Sequence, residues 1–374
     1  MTQDLEEAIG WRQELHRHPE LLFDLPWTAS FVSERLRSFG LAVETGIGGS
    51  GVVAVARSDR PGPVTGLRAD MDALPILETA SAHPVSIHPG RMHACGHDGH
   101  MAMLLLAARR LAARRDFAGT AVFIFQPAEE NGGAGARAML QDGLIERFGI
   151  EQVFGMHCLP GLAENTFGTR PGGIMAAADS LRIRIEGRGG HAARPETCID
   201  PGLVASHIHL ALQTVVSRSL DPLASAVISI TRMEASDNED IIAPTARLAG
   251  TVRTLDEAVR NQCEAAIERI ATGVAAAHGA RAEVEYLRDY PVTVNDPAAT
   301  ARAARSAAAI APTVTDTPPL MVSEDFSFML QARPGAFLFL GQGPGPGLHS
   351  PEFQFNDAVL DTGARFWERL IRDQ

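Results

Sequence analysis

Residues 92–100 read Met-His-Ala-Cys-Gly-His-Asp-Gly-His, a stretch holding three imidazoles, one thiol and one carboxylate. Only small residues separate them, and an apolar run, Met101 to Ala108, follows at once. Nitrogen and sulfur donors this dense at a loop-to-helix junction point to a transition-metal site. Further candidates lie along the chain: Asp70 and Asp72 on either side of Met71, the adjacent Glu129 and Glu130, and the isolated His157 and His349. A lone histidine at a strand end is more often a hydrogen-bonded structural residue, and a glutamate pair more often solvated surface. The pair at 129–130 differs, because it follows the apolar run Thr120–Phe125 and a Pro-Ala step. Adjacent residues point differently, so one carboxylate can bind metal while the other handles a proton.

The elements that must position these groups follow from periodicity. Asp4 to Arg17 and Trp27 to Phe39 show helical spacing, ended by His18-Pro19 and Gly40. Leu41–Glu44, Val52–Arg57 and Thr65–Arg68 read as strands. A helix over Gly96–Arg115 follows the histidine cluster, then the strand Thr120–Phe125, a helix near Ala134–Phe148, and the strand Gln152–Met156 ending in His157. Helices alternating with buried strands predict an α/β layered domain with a largely parallel sheet. In such sheets ligands bind beyond the carboxyl ends of the strands, where Asp70, Asp72, Glu129, Glu130 and His157 all fall. From residue 179 the pattern changes. Ser180–Glu186 alternates apolar and polar, a helix spans Pro201–Arg218, and strands at Ala226–Met233 and Ala246–Arg253 precede a helix over Leu255–His278 and the strand Glu283–Tyr286. This predicts an α+β sandwich over 179–291, inserted into a first domain formed by 1–178 and 292–374. The last segment adds the strand Ala336–Leu340, a Gly-Pro loop before His349, and an amphipathic helix.

Composition excludes several functions. A hydrophobic fraction of 45% and a charged fraction of 21% over 374 residues describe a globular chain able to bury two cores. The net charge of −12 disfavours nucleic acid and anionic membranes as partners. Every one of the 33 Lys-or-Arg residues is arginine, which removes Schiff-base chemistry and the phosphate-loop lysine. No stretch approaches the roughly 20 apolar residues of a membrane span. The acidic N-terminus is unlike a signal peptide. The scattered Cys95, Cys158, Cys198 and Cys263 form no paired framework, so a reducing cytoplasm is expected.

Taken in order, Leu67–Pro75, Met92–His100, Gln126–Glu130, Gly155-Met156-His157, Gly187–Glu196, Val322–Phe326 and Leu348-His349-Ser350 closely resemble the dinuclear metallopeptidase/aminoacylase family. The branch is that of hippurate hydrolase, the indole-acetyl-amino-acid hydrolases and N-acetyl-diaminopimelate deacetylase. The resemblance implies a zinc-exopeptidase-type catalytic domain interrupted by a dimerisation, or lid, domain. It implies two divalent metal ions per subunit, manganese or zinc, with cobalt and nickel also suited to the donor set. It also implies a homodimer or dimer of dimers. Cys95 resembles the thiolate that bridges the metals, and His97, Glu130, His157 and His349 the other ligands. Glu129 resembles the general base, and His191 the lid histidine that enters the partner subunit's site to polarise the scissile carbonyl. Asp70 and Asp72 resemble acidic groups beside the ligands. Spacing alone leaves His93, Asp98 and His100 ambiguous, and the resemblance favours roles orienting the ligands by hydrogen bonds. The implied activity is hydrolysis of small N-acyl amino acids, N-acetyl, benzoyl or similar, or of small peptides, by a metal-bound hydroxide.

One departure concerns the lid. The branch commonly shows Asn-Val-Ile-Pro before Gly250-Thr251-Val252-Arg253, whereas Asp240-Ile241-Ile242-Ala243 stands here. Asp240 would repel a substrate carboxylate unless Arg253 or another arginine compensates. Two readings compete with the metallohydrolase. A cysteine hydrolase using Cys95 with His97 or His157 predicts activity that survives chelators, yet leaves both glutamates unused. A non-catalytic small-molecule-binding homologue would leave an intact ligand set, base and lid histidine without purpose. A structural zinc finger does not fit ligands spread from residue 95 to residue 349.

Overall fold

The computed structural model describes residues 2–79 and 84–374, which form two compact units. The first comprises Met1–Ile174, Thr293–Pro318 and Asp325–Gln374, the second Met175–Val292 and Pro319–Glu324. In chain order the first unit begins with helices α1 (Gln3–Arg17) and α2 (Pro26–Ser38) and strands β1 (Ala42–Ile47), β2 (Gly51–Arg57) and β3 (Val64–Asp70). Helix α3 (His97–Ala113), strand β4 (Thr120–Gln126), helices α4 (Gly135–Gln141) and α5 (Leu144–Phe148), and strands β5 (Gln152–Leu159), β6 (Phe167–Gly168) and β7 (Gly172–Met175) follow. The second unit carries β8 (Ala177–Glu186), β9 (Gly190–His191), α6 (Pro201–Thr214), β10 (Ala226–Glu234), β11 (Ile241–Ile242), β12 (Thr245–Thr254), α7 (Glu257–Ala277) and β13 (Arg281–Tyr290). The chain then returns through β14 (Thr293–Asn295), α8 (Pro297–Ala308), β15 (Thr313–Val314), α9 (Ser327–Ala332), β16 (Gly335–Gly341) and α10 (Leu360–Arg372).

The first unit is built on an eight-stranded sheet of order β1-β2-β4-β3-β5-β16-β6-β15. Its centre, β4-β3-β5-β16, is parallel, while β2 and β6 pair with the centre antiparallel and β1 pairs antiparallel with β2. The expectation of a largely parallel sheet therefore describes the middle of the sheet and not its flanks. The central strands are apolar on both faces, as strands covered by helices on both sides must be. Helix α3 is buried almost throughout, from His97 to Leu111, which explains why its sequence shows no polar face after the histidines. The single helix expected near 134–148 is two, because Gly143 turns the chain at φ +81° between α4 and α5.

The second unit is a four-stranded antiparallel sheet, β10-β12-β8-β13. Leu181, Ile183, Ile185 and Leu248 on one face pack with Val204, Ile208 and Leu212 of α6 and Cys263 and Ile267 of α7. Helix α6 stops at Thr214 and passes into a π-helical turn, Val215–Ser219, so it is shorter than its sequence pattern. All four cysteines are free thiols. No described helix is long and apolar enough to cross a membrane.

Candidate metal centre

Parallel pairing of β4, β3, β5 and β16 puts their carboxyl ends on one rim of the sheet. Asp70 ends β3, the chain leaving β4 carries Glu129 and Glu130, and His157 lies in the last residues of β5, inside the strand where the sequence placed it just beyond. Helix α3 begins at His97, one residue after Gly96, whose φ is +82°. A side chain at Gly96 would place its Cβ 2.5 Å from Cys158 Sγ, so glycine lets Cys95 and His97 turn inward side by side. Ala128 and His349 adopt left-handed backbone (φ +51° and +63°), conformations that cost energy and cluster at functional sites. His349 is held there by its N–H, which donates to Ala94 O at 2.8 Å.

The partner of each Nδ1 sorts the histidines. His97 Nδ1 donates to Asp72 O (2.7 Å) and His157 Nδ1 to Cys158 O (2.7 Å). Each therefore keeps its Nε2 lone pair for another purpose. His97 Nε2 is buried with no hydrogen-bond partner among the described residues, and His157 Nε2 lies 3.4 Å from Cys95 Sγ. Burial lowers the pKa of both rings, so both present neutral lone pairs. His100 has neither nitrogen to spare, since Nδ1 donates to Asp70 Oδ1 (2.7 Å) and Nε2 accepts from Cys158 N–H (2.9 Å). His349 Nε2 approaches Glu130 Oε1 at 3.3 Å, close enough for the carboxylate to pull the imidazole upward although the contact is poorly directed.

The donors converge. Ligand atoms of Cys95, Glu130 and His349 lie within 4.8 Å of one another, and so do those of His97, Glu129 and Glu130. Asp72 anchors both glutamates, accepting from Glu129 N–H at 2.9 Å and Glu130 N–H at 3.1 Å. Burial, reinforced by Glu130, holds Asp72 well above the usual carboxylate range despite those two amides. Burial also pushes the Cys95 thiol far up, and Glu130 and Glu129 push it further. These groups favour an anionic form only beside added positive charge. The buried Nε2 of His97, the buried Oε1 of Glu130 and the raised thiol thus fit divalent cations.

Other expected residues lie elsewhere. His93 is buried, both of its ring nitrogens lack a hydrogen-bond partner among the described residues, and burial lowers it to about 3. Asp98 faces α1, accepting from His16 Nδ1 at 2.9 Å with Arg12 at 3.6 Å. His191, Asp240 and Arg253 belong to the second unit. His191 Nδ1 accepts from Ala193 N–H (3.2 Å), which assigns the ring proton to Nε2. Asp240 sits beside β9, which ends at His191, its carbonyl accepting from Ala192 N–H (2.9 Å). Arg253, on β12, bonds Thr251 Oγ1 and Val252 O.

Sequence reasoning gave Asp70 and His100 a place beside the ligands but no role to Arg68 and Asp325, which support them from behind the rim. Arg68 donates to Gln126 Oε1 (2.8 Å), Asp70 Oδ2 (2.7 Å) and Asp325 Oδ1 (3.0 Å). Asp325 also receives Ala136 N–H and Gln126 Nε2 at 2.8 Å each. Burial would raise Asp70, but His97, Arg68 and His100, the last also through its hydrogen bond, outweigh it and hold the carboxylate well below the usual range. Asp70 then fixes His100, and His100 fixes the Cys158 amide next to His157. The available signal was an arginine inside an otherwise apolar strand.

The pattern of peptidase family M20/M25/M40 matches residues 66–373. Thermostable carboxypeptidase 2 of Saccharolobus solfataricus is 39% identical over 377 residues, covering 97% of this chain and 95% of its own. Hippurate hydrolase of Campylobacter jejuni is 40% identical over 362 residues, covering 96% and 94%. A solved structure, a dinuclear metal-binding peptidase of the M20 family from Bacillus subtilis, superposes with a TM-score of 0.89 at 33% identity, covering 98% of this chain and 97% of that one.

Proposed function

The chain belongs to peptidase family M20/M25/M40, and from that premise we propose that it cleaves N-acyl amino acids at a centre of two divalent cations per subunit. As a member of that family it is a metal-dependent hydrolase of amide bonds. Cys95, His97, Glu130, His157 and His349 would hold the cations. The observation that carries this reading is the pair of neutral imidazoles, His97 and His157, each locked through Nδ1 to a backbone carbonyl with Nε2 turned to the thiol and carboxylate cluster. The mixed thiolate, imidazole and carboxylate donor set suits zinc, manganese, cobalt or nickel.

When bound, the cations supply Lewis acidity, acidifying water and drawing electrons from the scissile carbonyl. Glu129 takes a proton from the attacking water as the new C–O bond forms. It returns that proton to the nitrogen as the C–N bond breaks, releasing a carboxylic acid and an amino acid. Asp72 sets its position by binding the Glu129 amide. His191, with its proton on Nε2, is a suitable donor to the carbonyl oxygen, and we assign it to the active site of the partner subunit in a homodimer. Arg253 would meet the substrate carboxylate and Asp240 would oppose it. Four free cysteines fit a reducing, cytoplasmic setting.

Cys95 and His157 stand 3.4 Å apart, a spacing that also suits a cysteine nucleophile. Burial and two glutamates hold that thiol protonated, which disfavours it. The test is removal of metal by chelation, restoration with manganese or zinc, and assay of an N-acyl amino acid against its C-terminal amide. The proposal expects activity that returns with metal and favours the free acid. Preference for the amide would reassign Asp240 and Arg253, and activity indifferent to metal would overturn the reading.

A further inference from the structure

Three of the proposed ligands lie on one closed ring of contacts that joins distant parts of the first unit. His349 N–H donates to Ala94 O at 2.8 Å, closing one side. From Ala94 the chain runs through Cys95 and His97 to Asp98, whose Oδ2 lies 2.9 Å from His16 Nδ1. His16 Nε2 lies 3.1 Å from Glu78 Oε1. The next residue, Thr79, donates its N–H to Pro351 O at 2.9 Å, and the chain returns from Pro351 to His349. His16 is the only member of the ring that is bound on both sides through side chains alone.

We propose that His16 is a positioning residue that fixes the α3 end of the metal centre, with Cys95 and His97, against the loop carrying His349. The inference rests on the ligand assignment made above. An imidazole with a proton on each nitrogen is the one side chain that can donate in two opposed directions to two carboxylates through a rigid ring. His16 is 1% exposed, and Asp98 is fully buried. Glu78 is held in turn by Ser86 N–H at 2.7 Å, and Arg12 reaches both Asp98 (3.6 Å) and Asp357 (2.8 Å). Charge this deeply buried is costly and weak evidence of stability by itself, so its place beside the ligand set is the informative fact. None of these groups is a proposed ligand. Their effect must therefore pass through backbone position.

The test is titration of the metal-free full-length protein with Co2+, following the thiolate-to-cobalt absorption band. His16→Phe keeps a ring and loses both donors. About tenfold or greater weakening of at least one equivalent, with a shifted band, is expected, as for loss of a group that orients a metal ligand. Glu78→Gln should weaken binding in the same direction, and the double variant should lose less than the two single losses combined. A folded His16→Phe protein that binds both equivalents with wild-type affinity and an unshifted band overturns the inference, even if it melts earlier. If His16→Phe does not fold, Glu78→Gln decides by the same two readings. Failure of the wild type to bind two equivalents would instead overturn the ligand assignment.

Discussion

His16 makes the stability of the first unit depend on pH in a direction that can be worked out. Burial alone would push its pKa down, but hydrogen bonds to Asp98 and Glu78 outweigh that and raise it from 6.5 to about 9. The folded value lies above the unfolded one, so the folded state binds the proton more tightly. The contribution is complete below pH 6.5 and is lost as pH rises through about 9. The pKa difference corresponds to about 3 kcal/mol at low pH, of which about 2 kcal/mol remains at pH 7.5 and about 0.4 at pH 9. His16→Gln keeps a donor and an acceptor but does not titrate. Trp11, Trp27 and Trp367 all lie in the first unit, so tryptophan fluorescence during urea unfolding reports on that unit. The stability gap between wild type and His16→Gln should shrink by about 3 kcal/mol between pH 6 and pH 10. Groups that titrate equally in both proteins cancel in the difference. A gap constant to within about 0.5 kcal/mol across that range would refute the assignment of a charged His16 donating to both the Asp98 and Glu78 carboxylates.

Gly96→Ala should destabilise the protein by about 1–3 kcal/mol, because φ is +82° and the new Cβ would lie 2.5 Å from Cys158 Sγ. Adding Cys158→Ala should recover part of that loss in urea unfolding, since it relieves the contact and not the backbone strain. His97→Ala should abolish uptake of at least one cation, whereas His100→Ala should keep both and weaken them about 10–100-fold by isothermal titration. On the metal-loaded protein iodoacetamide should leave activity intact, and a chelator should remove it. A cysteine hydrolase would show the opposite pair of results.

The histidine cluster announced a metal site by density, but density could not rank its members. His97 and His100 are both buried at the start of α3. What separates ligand from support is whether Nε2 is already bonded, and that depends on Cys158, 58 positions from His100. The glutamate pair was legible because charge directly after a buried strand is unusual, and β4 delivers it to the rim. The parallel centre of the sheet followed from helix–strand alternation, while the antiparallel edges did not, because pairing direction leaves little trace in strand composition. Arg68, Asp325 and His16 were the least legible. Arg68 lies within an apolar strand and meets Asp325, 257 positions away. Arg12 and His16 occupy two of the four buried positions of α1, where helical spacing marks a face but not what the face meets.

The central claim is that Glu129 moves the proton while its neighbour Glu130 binds metal, and Glu129→Gln tests it most directly. Metal analysis should find two cations per subunit, as in the wild type, and kcat on an N-acyl amino acid should fall about 10²–10⁴-fold. Full metal content with kcat within about threefold of the wild type would contradict the account.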